Sequence, residues 1–423
     1  MSLRHSIPSS WCIVLVLFFA GAAVADDVPD PNIMLFTLPE AKNAPAPKVI
    51  KPGTRLVYYG QSASISATRT QVVPIYDEKK KHWVLINSGK KIQEVEIPNV
   101  GGMGLSVVQV GHVDDKRVTL SARHYLLNPL DKSIIYTNVN GIVTNAGVAS
   151  DYWINPDVLA KVKEMNQDGV VIMRMKYPLN GKIFNAIRFQ TTTKTGYQAY
   201  VYDLETGLMI FHGSASKGEG VKTFNLDKTK VVEGGGATTL INGWILEVKD
   251  VELPWKDAPS PDWAKQFKQL RYDGAQSSVM PGLPVFSRPA ALVIKPKAVG
   301  DDWVRFTSDL TVTNQAQFGV AVPPEMHHSE DARGNAALLG VRIPPKAIGN
   351  LKQGQVLETN DITKTKTLVS EVGQGYVTIT EFGQLHRVDH AYDTSTGVLR
   401  GLQVSQQMGP GTQMLRVSLS GQQ

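Results

Sequence analysis

A single cysteine, Cys12, occurs in the 423 residues. With no partner thiol there is no internal disulfide, and Cys-ligated zinc and iron–sulfur sites are excluded with it. Cys12 lies ahead of most of an apolar run from Trp11 to Ala20, which is too short for a spanning helix. Nothing later in the chain approaches the roughly 18 uninterrupted apolar residues that such a helix needs. Catalytic signatures are missing too: there is no Gly-x-Ser-x-Gly elbow, no phosphate loop and no His-Glu-x-x-His. Gly101-Gly102-Met103-Gly104 and Gly234-Gly235-Gly236 lack the strand-to-helix setting of a phosphate cradle and read as turns. No Asn-x-Ser/Thr glycosylation acceptor occurs.

Charge of one sign is also scarce. Lys and Arg number 44 against 38 Asp and Glu, a formal charge of +6. The densest basic stretch, Lys79-Lys80-Lys81, follows Tyr76-Asp77-Glu78 and precedes His82-Trp83-Val84, the setting of a solvated hairpin tip. A nucleic-acid partner is therefore not expected.

What is present begins with an export signal. Arg4 and His5 precede the apolar run, and Ala23-Val24-Ala25 follows it, so residues 1–25 read as a signal peptide cleaved before Asp26. The mature chain is then cysteine-free and is expected in a bacterial periplasm or outside the cell. Residues 26–52 are rich in Pro and Ala and read as a leader or linker.

From Thr54 onward, short runs rich in Val, Ile, Tyr and Thr alternate with Gly, Asn and Asp clusters, the pattern of antiparallel strands. One break is Asn155-Pro156-Asp157-Val158-Leu159: a capping Asn, a Pro at the first helical position and an acid at the positive end of the dipole predict a short amphipathic helix. Ser260-Pro261-Asp262-Trp263 predicts another, running to Leu270.

Two unlike phrases recur. Asp203-Leu204-Glu205-Thr206-Gly207 returns as Asp393-Thr394-Ser395-Thr396-Gly397, 190 positions later, and Pro156 has its match in Pro345, 189 positions later. Two elements in the same order at one spacing argue for an internal duplication. The expected fold is mainly β: two related antiparallel β-rich halves, each with a short amphipathic helix. Matching Gly53–Tyr59 to Gly300–Phe306 gives a spacing of 247, which implies about 58 extra residues in the first copy, between Arg69 and Val143. The expected division is 53–255 for the first repeat with an insertion, 256–290 for a helical connector and 291–423 for the second repeat.

Candidate site residues are few. Tyr152 and Trp153 before the first helix, and Trp255 and Trp263 around the second, are either staples between helix and sheet or a ligand-binding surface. His386 and His390 are the sharpest metal candidates. On a strand, however, four residues span roughly 13 Å, too far for two imidazoles on one ion, and Asp389 faces the other side. His327-His328 with Glu330 and Asp331 forms a second polar cluster. No cofactor is expected. The function that fits is an exported, non-enzymatic binding or scaffold protein, its partner an unknown ligand at the junction of the halves or an envelope protein. The alternatives are an exported hydrolase of envelope polymers and a carrier of an apolar ligand held between sheet and helix.

Overall fold

The computed structural model describes residues 39–66, 72–77, 82–87, 97–128, 131, 133–149, 151–194, 196–217, 222–224, 231–233, 238–256, 258, 267–314 and 323–422. The expected signal peptide, the leader up to residue 38, and most of the helix expected from Ser260, Trp263 included, lie outside them. The first half contains β1 (Thr54–Ser66), β2 (Val72–Asp77), β3 (His82–Asn87), β4 (Ile97–Val113), β5 (Arg117–Leu127), β6 (Ile134–Asn145), β7 (Val148–Ala149) and β8 (Trp153–Ile154). The helix Pro156–Lys161 follows, then β9 (Met165–Gln167), β10 (Val170–Leu179), β11 (Lys182–Thr192), β12 (Gly196–Asp203), β13 (Met209–Lys217), β14 (Lys222–Phe224), β15 (Val231–Glu233) and β16 (Thr238–Asp250). The second half runs β17 (Leu270–Val279), β18 (Phe286–Val299), β19 (Trp303–Val312) and β20 (Glu325–Gly334) into the helix Pro345–Ile348. It ends with β21 (Val356–Asn360), β22 (Thr365–Gly373), β23 (Tyr376–Phe382), β24 (His386–Asp393), β25 (Leu399–Met408) and β26 (Gly411–Gln422).

Ten strands of the first half form one antiparallel sheet, in the order β6-β5-β4-β1-β16-β13-β12-β11-β10-β9, and ten of the second form another, β20-β19-β18-β17-β26-β25-β24-β23-β22-β21. The orders coincide once the separate hairpins β2–β3, β14–β15 and β7–β8 are set aside. In each half the first strand pairs with the last, β1 with β16 and β17 with β26. Each meander opens between its fourth and fifth sheet strands, where the chain makes the short helix instead. The protein is thus mainly β, with two related antiparallel halves.

The two recurring phrases recur together because they touch. Asn155 caps its helix through Oδ1, which accepts the Asp157 N–H at 2.8 Å. Just before it, the Ile154 N–H donates to Gly207 O at 2.9 Å, and in the second half the Ile343 N–H donates to Gly397 O at the same distance. Asp203 and Asp393 hold their turns by accepting the N–H groups of Thr206 and Thr396 at 3.0 and 2.9 Å. Gly207 and Gly397 both have φ near 76°. A Cβ there would lie 2.1 Å from Ile154 O and 1.9 Å from Ile343 O respectively. Helix entry and turn therefore form one packed unit in each copy.

Topology corrects the front of the repeat. Gly300–Asp302 links β18 to β19, so its counterpart is the link between β4 and β5, not Gly53–Tyr59 at the start of β1. Arg117 and Trp303, which open β5 and β19, are 186 positions apart, close to the spacing of helices and turns. The extra length of the first copy is not one block of 58. It is split between β2–β3, inside the expected window, and β14–β15 beyond it.

Two other boundaries move. Residues 256–290 are not a helical connector throughout, because β17 and the start of β18 fall there; Leu270 pairs with Ile294 and with Gln422 near the C-terminus. Residues 39–52 are not a loose leader: Pro39–Asn43 is helical, Ala41 and Ile50 are buried in the first core, and Asn155 Nδ2 donates to Pro45 O at 2.9 Å.

Alternation along the strands separates the faces. Leu56, Val108, Leu120 and Tyr202 point into the first core, with Trp153, Ile154, Val158 and Leu159 filling the space between helix and sheet. Tyr272, Val304, Val369 and Tyr392 do the same in the second, with Ile343 and Ile348. Val57, Leu105, Val107 and Tyr125 face the opposite way, and this outer face of the first sheet packs against Ile362 of the second half. Elsewhere the halves meet backbone to backbone: the Ala336 N–H donates to Gly111 O at 2.9 Å.

Candidate functional site

The junction of the halves, where the sequence suggested a ligand, is filled by charge pairs. Arg55 of β1 and Arg123 of β5 project from the outer face of the first sheet and are buried. Arg55 Nη1 donates to Glu358 Oε1 at 2.6 Å, and its Nη2 pairs with Glu247. Arg123 Nη2 donates to Glu358 Oε2 at 2.7 Å, and its Nη1 pairs with Glu381. Glu381 also accepts from Tyr125 Oη at 3.0 Å and lies 3.1 Å from His386 Nε2. The His386 ring stacks on Tyr136, 5.3 Å between centroids. Burial works to raise the Glu381 pKa, but Arg123 and the His386 hydrogen bond outweigh it and hold the carboxyl at about 2. A carboxylate that stays ionised and enclosed can serve neither as a general acid nor as a nucleophile toward an outside substrate. It is suited to holding two halves in register.

The residues singled out by sequence are dispersed. Trp153 is fully buried in the first core, its Nε1 donating to Ala146 O at 2.9 Å. Tyr152 packs against the same core, 5.8 Å from the Tyr58 ring. Trp255 is buried in the second core, so these aromatic residues staple two separate cores and share no surface. His386 and His390 point inward on β24, as strand geometry requires, four residues apart. Among the described residues no group of three or more His, Cys, Asp or Glu could hold a metal ion. His327 and His328 are adjacent, exposed positions on β20, and His328 Nδ1 meets Asp309 at 2.6 Å. Side chains next to each other on a strand face opposite ways, which separates that pair.

The same alternation that turns His386, Val388, His390 and Tyr392 inward turns Arg387, Asp389 and Ala391 outward. There they join an open groove of about 680 Å³ across β22–β26. Register places Asp389 beside Gln403 and Gln403 beside Arg416, with Ala391, Gly401 and Ser418 in the next row. Those small residues form the floor. Arg387 and Arg416 stand at one end, and Arg400 and Tyr376 at the other. Asp389 is pinned by Thr380 Oγ1 at 2.5 Å and by Arg387 Nε at 2.9 and 3.0 Å. Glu371, the other carboxylate of the groove, accepts from Tyr376 Oη at 2.5 Å. Among the described residues Arg416 makes no ion pair. The first half does not repeat the three arginines: at the repeat spacing, Tyr197 and Ile210 stand where Arg387 and Arg400 do, and Asn242 pairs as Arg416 does.

His390 carries a pH prediction. Burial, then the nearby positive charge of Arg333, lowers its pKa from 6.5 to about 3. Between those values the unfolded chain takes up a proton that the folded chain refuses, so the stability linked to His390 is full above pH 6.5 and lost as pH falls toward 3. Asp331 works the other way, since burial raises its pKa to about 6 against the pull of Arg333. In His390→Leu the drop in denaturation midpoint from pH 7 to pH 4.5 should be smaller than in the unsubstituted protein. An equal drop would remove His390 from the account.

No protein-family model matches the chain, and no curated protein matches it. Among solved structures it is similar to a protein of unknown function of the DUF3598 family from Nostoc punctiforme PCC 73102, at 10% identity, covering 86% of this chain and 95% of that one, with a TM-score of 0.16. It is also similar to intact Ap-TbpB with its N and C lobes, at 8% identity, covering 90% of this chain and 79% of that one, with a TM-score of 0.13. At those scores neither likeness bears on fold or function.

Proposed function

We propose that this chain is an exported, non-enzymatic binding or scaffold protein of the bacterial periplasm or exterior, and that the groove across β22–β26 holds an anionic ligand. The observation that carries the reading is the arginine set. Arg387, Arg400 and Arg416 flank a floor of small residues; Arg387 pairs with Asp389 and Arg400 lies 3.9 Å from Asp393, so that Arg416 is the one without an ion pair among the described residues, and the matching positions of the first half hold no arginine. Guanidinium groups are forked donors suited to carboxylates, sulfates and phosphates. The two carboxylates in the groove are already engaged, Asp389 by Arg387 and Thr380 and Glu371 by Tyr376.

The alternatives have less support. A hydrolase of envelope polymers would need carboxyls facing each other across an open cleft, whereas Glu358 and Glu381 are buried and bridged by Arg123. A carrier of an apolar ligand would need an empty space between helix and sheet, whereas Trp153, Val158 and Leu159 fill it.

The test uses protein recovered from a periplasmic extract of an expressing bacterium, where an N-terminus at Asp26 supports export and retention in the cytoplasm counts against it. Calorimetric titration with polygalacturonate should give saturable binding, dextran none, and Arg416→Glu a loss of affinity of tenfold or more. The ligand assignment is abandoned if the neutral polymer binds equally or if Arg416→Glu changes nothing.

A further inference from the structure

Tyr376 stands at one end of the β22–β26 groove and is the one aromatic side chain among the described residues that line it. It pairs across the strands with Gly373 of β22. A Cβ on Gly373 would lie 2.3 Å from Tyr376 Cε1, 2.4 Å from Cζ and 2.8 Å from Oη. A point beside the ring's edge would be nearer to the hydroxyl oxygen than to either carbon, so the glycine sits under the face of the ring. Only a residue without a side chain lets the ring lie that flat on the sheet. Tyr376 Oη donates to Glu371 Oε1 at 2.5 Å, which holds the ring in place and leaves its other face for the groove.

Two kinds of polar group flank this platform. One is a cation: Arg400 Nη1 donates to Gly375 O at 3.5 Å and lies 3.9 Å from Asp393 Oδ2. The other is carboxylate, from Glu371 and Asp393. An ionised carboxylate only accepts hydrogen bonds, at about four positions, of which Tyr376 takes one on Glu371. A ligand that suits this end must therefore bring donors as well as negative charge. The phosphates of a nucleic acid bring no donors. A hydroxylated ring bearing a carboxylate brings both, and the C–H groups on its face are drawn to the negative face of an aromatic ring.

The span of the groove sets the ligand's length. At the far end Arg387 holds its guanidinium over Phe382, 5.2 Å from the ring centre. Tyr376 and Phe382 open and close β23, roughly 20 Å apart at the rise of a strand. One sugar acid cannot touch both ends, and a chain of linked sugars can. Between them Thr378, Gln403 and Ser418 offer uncharged hydrogen-bonding groups.

We propose that the anionic ligand of the groove is a linear saccharide bearing carboxylates, with one sugar ring stacked on Tyr376 beside Arg400 and the chain running toward Arg387 and Arg416. The inference rests on the groove reading and adds to it the class of ligand and the residue that selects it.

The experiment is calorimetric titration of the protein with galacturonate, its linear hexamer and single-stranded poly(A). Affinity should rise at least tenfold from monomer to hexamer. Tyr376→Ala should weaken hexamer binding at least tenfold, and Tyr376→Phe, which keeps the ring, less than threefold, with the thermal midpoint unchanged in both. Gly373→Ala, which keeps the tyrosine but tips its ring, should cost threefold or more. Binding that Arg416→Glu abolishes while Tyr376→Ala or Gly373→Ala retains it overturns this inference and leaves the groove reading standing. Equal losses in Tyr376→Phe and Tyr376→Ala, or equal affinity for monomer and hexamer, do the same. Tighter, Tyr376-dependent binding of poly(A) would make the occupant a nucleic acid and overturns it too. No saturable binding of either galacturonate overturns both readings.

Discussion

Glu381→Leu is expected to destabilise the protein by about 3–5 kcal/mol, the range for removing one partner of a buried ion pair. The substitution leaves Arg123 buried with half its charge partners, and takes from Tyr125 and His386 the oxygen they share. The cost comes less from the lost attraction than from a guanidinium left only half compensated, by Glu358, away from water. That distinction can be measured. Adding Arg123→Met should give a double variant more stable than the two single effects together predict, by about 1 kcal/mol or more, since neither charge of the Arg123–Glu381 pair is then left buried without the other. Denaturant unfolding of the four proteins closes the cycle. A Glu381→Leu midpoint corresponding to less than about 1 kcal/mol would mean that water reaches the network and that the junction is looser than its burial implies.

Gly334→Ala tests the other contact between the halves, and a loss of about 3 kcal/mol is expected, at the upper end of overpacking effects. The added Cβ would meet Gly111 C at 2.2 Å and His112 N at 2.6 Å, backbone atoms that cannot rotate away. The strands must part, and the hydrogen bond from Ala336 to Gly111 goes with them. Gly141→Ala should behave alike, because its Cβ would lie 2.1 Å from Ala332 O. Gly421→Ala is the control: nothing approaches closer than Arg271 Cβ at 4.0 Å, so a change within about 0.5 kcal/mol is expected. If Gly334→Ala matches that control, the close approach of β4 and β20 does not hold the halves.

Local signals were legible in the sequence and long-range ones were not. The helix at Pro156 could be read because its cap, its proline and its first acid are neighbours in the chain, and the Asp-x-x-Thr-Gly turns for the same reason. The segment from Ser260 to Leu270 shows the limit. Its helical pattern was expected to reach Leu270, where β17 begins and Leu270 pairs with Gln422, some 150 residues away, and no local propensity records that partner. The match of Gly53 to Gly300 failed similarly, because similar hairpin entries occur on more than one strand and only pairing order tells them apart.

The candidate site divides along the same line. Alternation in His386-Arg387-Val388-Asp389-His390 already set the histidines on one face and Arg387 with Asp389 on the other. It could not show that the histidine face is sealed, nor that β25 and β26 bring Arg400 and Arg416 to the opposite face beside Arg387. That required the register of three strands.

By itself, then, the sequence determined a β protein of two related halves with no cysteine beyond Cys12, and the helix-and-turn unit that each half repeats, because those features rest on composition and on neighbours along the chain. The tertiary structure decided which strands meet, that the junction is filled with ion pairs rather than open, and that Arg387, Arg400 and Arg416 come together on one face of the second sheet. Pairing between strands far apart in sequence is set by which faces can be buried together, and burial is a property of the folded chain.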